Sequence, residues 1–115
     1  MDLKFYKAGN DIVYSEASKV VELEEVVANT VDAAREKHLP VIHLAGTKVK
    51  VIVGEVKHPM VDNHFIEFVV ITTNKCAYKR YLKPGEDPEI VFTIEADEVV
   101  EAAYAYCNLH GLWKA

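Results

Sequence analysis

The sequence predicts an all-β protein, and three observations carry that prediction. Apolar and β-branched residues come in short runs, several alternating in period two, with no long stretch of helical period. Glycine, proline and asparagine turns separate those runs at the spacing of a sandwich. Half of the 115 residues are hydrophobic, which suits one buried core in a chain of this length.

Taken in order, the first 28 residues differ in kind from the rest. Lys4 to Tyr14 suits one or two short strands around the turn Gly9-Asn10-Asp11, and Val20 to Val27 is an apolar–acidic stretch. Asn29 to Lys37 places helix formers behind good capping residues and predicts a single helical turn. Leu39 to Leu44 is a short strand opening on Pro40, a residue tolerated at a strand start. Lys48 to Val53 alternates and then turns wholly apolar, with Gly46 supplying the turn before it. Phe65 to Thr72 is rich in β-branched and aromatic residues and reads as a central strand. Ala77 to Leu82 follows and ends at Lys83-Pro84-Gly85-Glu86-Asp87-Pro88, a strong turn signal. Glu89 to Ile94 alternates in period two. Val99 to Tyr106 is ambiguous, since Ala102, Ala103 and Ala105 favour helix while Val and Tyr favour strand. Its place after five other strands selects strand. The expected architecture is an immunoglobulin-like β-sandwich over residues 29–115, with a short amino-terminal segment at 1–28.

Charge and composition exclude several classes of function. A net charge of −5 argues against nucleic acid, whose phosphates need a basic face. No apolar run approaches the roughly 20 residues of a membrane helix. Met1-Asp2-Leu3-Lys4-Phe5-Tyr6 lacks the apolar stretch of a secretory signal, so a cytoplasmic protein is expected. In that compartment Cys76 and Cys107 are expected to stay thiols, and Cys76 reads as a small packing residue.

The five histidines matter through their placement. His38 precedes Leu39-Pro40, His58 and His64 bracket a Pro-containing loop, and Cys107 and His110 follow the last predicted strand. Each falls at a strand end or in a loop, where a sandwich can bring distant segments together. His43 lies inside an apolar strand instead. A single histidine is more often a hydrogen-bonded side chain than a ligand, and Cys-x-x-His alone is a weak signal. Its spacing nevertheless lets one turn offer sulfur and imidazole to a common centre.

Four ordered blocks sharpen this pattern. They are Glu36-Lys37-His38-Leu39-Pro40-Val41-Ile42, Val53-Gly54-Glu55-Val56-Lys57-His58-Pro59-Met60, His64-Phe65-Ile66-Glu67-Phe68, and Cys107-Asn108-Leu109-His110-Gly111-Leu112-Trp113-Lys114. With Tyr81-Leu82-Lys83-Pro84-Gly85 between them, residues 29–115 resemble the superoxide reductase family, the desulfoferrodoxins and neelaredoxins. The resemblance implies one-electron reduction of superoxide to hydrogen peroxide at one mononuclear non-haem iron. It makes His38, His58, His64 and His110 the four equatorial nitrogens and Cys107 the axial sulfur. Glu36 and Lys37 become the charged residues flanking the open sixth position, while His43 and Cys76 match no ligand. Asn63 and Phe68 depart from the acidic residue and the Trp that the family often carries there. No cysteine precedes Cys76, so the family's amino-terminal four-cysteine iron centre is missing and residues 1–28 read as its vestige. An external donor, rubredoxin or a similar small carrier, is then implied, as is a homodimer or homotetramer.

The chemistry agrees with these residue types. Superoxide reduction needs a metal that switches oxidation state and offers a vacant position, which excludes zinc as the working ion. Mixed nitrogen and sulfur donors suit iron, and an axial thiolate pushes electron density toward the vacancy. Backbone N–H groups of Leu109 and His110 are expected to hydrogen-bond that sulfur and tune its donation, a geometry for the structure to show. Because superoxide is an anion, local positive charge from Lys37 must overcome the overall field; Lys57, beside His58, either adds to it or, the favoured reading, is a solvated side chain. A cupredoxin-like carrier would want a weak axial Met after the last Cys and His, and none follows Met60. A structural zinc module needs only four ligands, fewer than are present.

Overall fold

The computed structural model describes residues 2–16 and 22–115. Val20 and Val21, the start of the apolar–acidic stretch, lie outside the described residues. In chain order the elements are β1 (Leu3–Ala8), β2 (Asp11–Glu16), β3 (Glu25–Val26), α1 (Arg35–His38), β4 (Pro40–Ala45) and β5 (Lys48–Val53). After these come β6 (Ile66–Thr73), β7 (Ala77–Tyr81), β8 (Glu89–Thr93), β9 (Val100–Cys107) and β10 (Gly111–Lys114). The ambiguous alanine-rich segment is strand β9, with Ala103 and Ala105 fully buried in the core at alternate positions. The sequence reading ended the fold at that strand. Residues after Cys107 in fact turn back as β10, with Gly111 paired to Cys107 and Lys114 to Tyr104.

Two antiparallel sheets, β10-β9-β6-β7 and β4-β5-β8, face each other as the sandwich. Between them lie Val49, Val51, Val53 and Ile90 from one sheet and Val69, Ile71, Ala103, Ala105 and Cys107 from the other. The period-two alternation of β5 and β8 follows directly, because the other face of that sheet meets water. Gly46 takes φ +60° in the two-residue β4–β5 turn, a conformation that costs a glycine little.

The helical turn is shorter and later than the sequence suggested, occupying Arg35–His38 alone. Asn29 lies outside it, in the left-handed region at φ +62°. Its side chain accepts from the Lys114 amide (2.9 Å) and donates to the Lys114 carbonyl (3.1 Å), which fixes the start of the sandwich to β10.

The described part of residues 1–28 is ordered against this body. Strands β2-β1-β3 make a third antiparallel sheet, and Leu3, Phe5 and Ile12 pack on Phe68, Val70, Ala102, Tyr104 and Leu112. Strand β6 is therefore covered on both faces, which explains its nearly continuous apolar run. Phe68 lies between Phe5 and Tyr106, with ring centroids 6.3 and 5.4 Å away. The Lys79 ammonium sits 4.4 Å from the Phe68 ring centroid and 4.5 Å from that of Tyr81, contacts worth about 0.5–1 kcal/mol each.

Candidate metal centre

Five donors from separate segments meet at one end of the sandwich. His38 closes α1, His58 follows β5, His64 precedes β6, Cys107 ends β9, and His110 sits in the β9–β10 turn. One ligand atom from each lies within 4.8 Å of all the others. The four imidazoles form a closed square: centroid separations are 4.7 Å (His38–His58), 4.6 Å (His58–His64), 5.2 Å (His64–His110) and 4.9 Å (His110–His38). Adjacent rings stand at 74°, 81°, 79° and 87°. Cys107 Sγ lies 3.8 Å from His110 Nδ1.

Local bonding explains why these rings point inward. His38 Nδ1–H donates to the Ala34 carbonyl at 2.6 Å, and His58 Nδ1–H to the Pro59 carbonyl at 2.7 Å. Each Nε2 is then left with a bare lone pair. Those two Nε2 atoms are 3.2 Å apart, and His38 Nε2 is 3.1 Å from His110 Nδ1. Without a proton or cation between them, the His38 and His58 nitrogens are two acceptors facing each other. His64 Nε2 is buried with no hydrogen-bond partner. A metal about 2.1 Å from each nitrogen would put neighbouring donors about 3.0 Å apart at right angles, close to what is found. Orphaned lone pairs at that spacing fit a cation and little else.

Burial sets the protonation states. It lowers His58 to about 4, against a favourable bond to the Pro59 carbonyl, and also lowers His38 and His64. Neutral imidazoles are the form that binds a metal. Burial raises the Cys107 thiol, while the backbone N–H groups of His110 and Leu109 pull it back down. The predicted amide contacts to sulfur are thus present, and a bound cation would complete its deprotonation.

Cys107, His38 and His58 are buried, whereas His64 and His110 are half-exposed, so the square is closed on one side and reachable from the other. Glu36 and Lys37 are exposed on α1 beside it. The Lys37 charge contributes to the lowering at His64, and the Glu36 charge opposes the lowering at His38. Lys57 pairs with Asp87 at 3.0 Å and is exposed, consistent with its reading as a solvated side chain. His43 is exposed on the outer face of β4, and Cys76 lies at the other end of the sandwich.

Two supporting residues escaped the sequence reading. Asn108 accepts from the Phe65 amide (3.0 Å) and donates to the Asn63 carbonyl (3.0 Å), clamping both flanks of His64. Trp113 stacks on His38 at 5.0 Å and donates to the His110 carbonyl at 3.1 Å. Both lie in the carboxy-terminal block, but nothing in the sequence links them to His64 or His38.

Comparison with known proteins agrees with this geometry. The desulfoferrodoxin family model matches residues 30–115. The desulfoferrodoxin of Nitratidesulfovibrio vulgaris is 51% identical over 86 residues, covering 75% of this chain and 67% of that protein. A superoxide reductase of Thermococcus kodakarensis is 31% identical over 96 residues, 69% of this chain and 84% of its own. Among solved structures, the superoxide reductase from Treponema pallidum superposes with a TM-score of 0.91 at 36% identity, covering 100% of this chain and 99% of that one. The one-iron superoxide reductase from Giardia intestinalis gives 0.61 at 26%, covering 70% of this chain and 95% of that one. The chain belongs to the desulfoferrodoxin family.

Proposed function

We propose that this chain is a superoxide reductase that holds one mononuclear iron through His38, His58, His64, His110 and Cys107 and converts superoxide, one electron and two protons into hydrogen peroxide. The observation that carries the reading is the square of imidazoles whose ring nitrogens converge beside a buried thiol. When bound, the iron supplies the electron that superoxide takes up.

The chain's own residues do the rest. The Ala34 and Pro59 carbonyls fix the tautomers of His38 and His58, so that each offers Nε2. Cys107 donates electron density from the buried side, tempered by the Leu109 and His110 amides. Lys37 draws the anion toward the half-exposed side against the net charge of −5. Glu36, exposed on the same turn, would offer a carboxylate to a bound iron from that side.

An external small carrier, a rubredoxin or its like, would supply the electron to a cytoplasmic homodimer or homotetramer. The described part of residues 1–28 serves as a packing layer on the domain of residues 29–115. No helix among the described residues is long and apolar enough to cross a membrane. Iron-loaded protein mixed with superoxide should yield peroxide without releasing oxygen. Oxygen release in step with peroxide would mean dismutation and overturn the assignment.

A further inference from the structure

The turn that carries Glu36, Lys37 and His38 rests on a residue with no side chain. Gly54 is buried immediately after β5. A Cβ placed on it would lie 2.7 Å from the Glu36 carbonyl oxygen, 2.9 Å from that of Leu39 and 3.0 Å from the Lys37 carbonyl carbon. All three are main-chain atoms, so no rotamer change relieves the contact. The same seat is bonded from beside: the Val56 amide donates to the Glu36 carbonyl at 2.9 Å, and the His58 amide to the Val53 carbonyl at 2.8 Å. The segment 53–58 is therefore a saddle that ends in one ligand and carries the back of the turn holding another.

We propose that Gly54 is a positioning residue whose missing side chain sets how deeply the turn from Glu36 to Leu39 seats, and thereby where Lys37 and Glu36 stand relative to the imidazole square. This rests on the function proposed above. Ordinary contact begins at about 3.5 Å, so a methyl group at 54 would push the turn back by roughly 0.6–0.8 Å. The displacement is not shared evenly. His38 is held by Trp113 stacking and its bond to Ala34, and Leu39 leads into β4. Glu36 and Lys37 project exposed side chains from two of the three main-chain positions that lie against the saddle, the third being Leu39 at the start of the β4 approach. They take most of the shift, while the ligands take little.

The test compares Gly54→Ala with Lys37→Ala and Glu36→Ala in the full chain. Gly54→Ala should keep its far-ultraviolet circular dichroism and bind ferrous iron within about tenfold of the parent affinity. Its oxidised iron should show an altered visible spectrum like that of Glu36→Ala, a readout independent of turnover. The rate constant with superoxide should fall several-fold and lose ionic-strength dependence, and adding Lys37→Ala should slow it no further. A parent-like spectrum and salt slope, or fully additive losses in the double variant, would overturn the proposal. Should Gly54→Ala not fold, Val56→Pro decides the matter. It replaces the amide hydrogen bonded to the Glu36 carbonyl with a ring carbon that crowds that same oxygen from beside, so it displaces the turn without touching Gly54, and the same non-additivity with Lys37→Ala is expected. A parent protein that consumes no superoxide would instead sink the functional reading, whatever Gly54 does.

Discussion

Strands β6 and β9 each carry polar side chains at both ends, and the two ends differ in one respect. Where β6 begins and β9 finishes, buried donors face one another with nothing between them, and His64 Nε2 has no partner. At the far end of β9, roughly 23 Å along the strand at about 3.3 Å per residue, Glu98 stands two residues before Val100 with both carboxylate oxygens bonded. Its carboxylate accepts from the Thr73 hydroxyl (2.6 Å), the Tyr78 hydroxyl (2.7 Å), the Glu95 amide (2.8 Å) and the Cys76 thiol (3.7 Å). Those bonds hold Glu98 down at about 2, and its charge and bond push Tyr78 up. Nearby, Lys75 bridges Glu95 and Asp97 at 2.9 Å each. Both ends have buried polar groups, a cysteine and displaced titrations. Among the titratable groups satisfaction separates them, even though the Thr72 hydroxyl at the Glu98 end also has no partner: the closed account of Glu98 marks a structural knot, and convergent bare imidazole lone pairs mark a place for a ligand.

The sharpest way to break that comparison is to change the sulfur. Cys107→Ser should leave a folded β protein and abolish superoxide reduction, a loss of at least about a thousandfold on the scale of removed catalytic groups. Retained turnover would refute the role of Cys107. A smaller effect is expected of Asn108→Ala, which frees both flanks of His64. Supporting residues around metal sites are typically worth about 10–100-fold in affinity, so ferrous iron titrated into the apoprotein should bind that much more weakly. Unchanged affinity would mean that β6 alone orients His64. Smaller again, Lys37→Ala should slow the encounter with superoxide by up to about tenfold and flatten its salt dependence; stopped-flow or pulse-radiolysis rates at several ionic strengths decide it.

How much of this was legible in the sequence differs between the same two ends. The strands were readable because the outward-facing sheet alternates, and Phe65 to Thr72 stood out because the amino-terminal sheet buries its second face. Strand β10 was missed since Gly111-Leu112-Trp113-Lys114 is too short to show a period. The five donors were legible through the family resemblance, which fixes residue type and order. Their supports were not, because Asn108, Trp113 and Gly54 act on residues far from them in the chain through contacts that only the fold creates. Glu98 was invisible for the same reason. A single glutamate before a strand looks solvated until Thr73 and Tyr78 are brought against it.

Glu98→Gln gives the gentlest test, because it should change stability and leave the metal end alone. The carboxylate titrates near 2 in the folded protein and near 4.5 when free. Between those values the unfolded chain binds more protons, so the stability that the ionised carboxylate contributes is present above about 4.5 and drains away as pH falls toward 2. Thermal melts of the metal-free parent should therefore lose ground on acidification through that window faster than melts of the variant. Comparing the two cancels the histidines, which titrate alike in both and lie too far off to couple. At neutral pH the variant should melt several degrees lower while binding ferrous iron within twofold of the parent, on the order of measurement error. A loss of iron affinity as large as that of Asn108→Ala would show the two ends to be one cooperative network, and the distinction between knot and site would have to be abandoned.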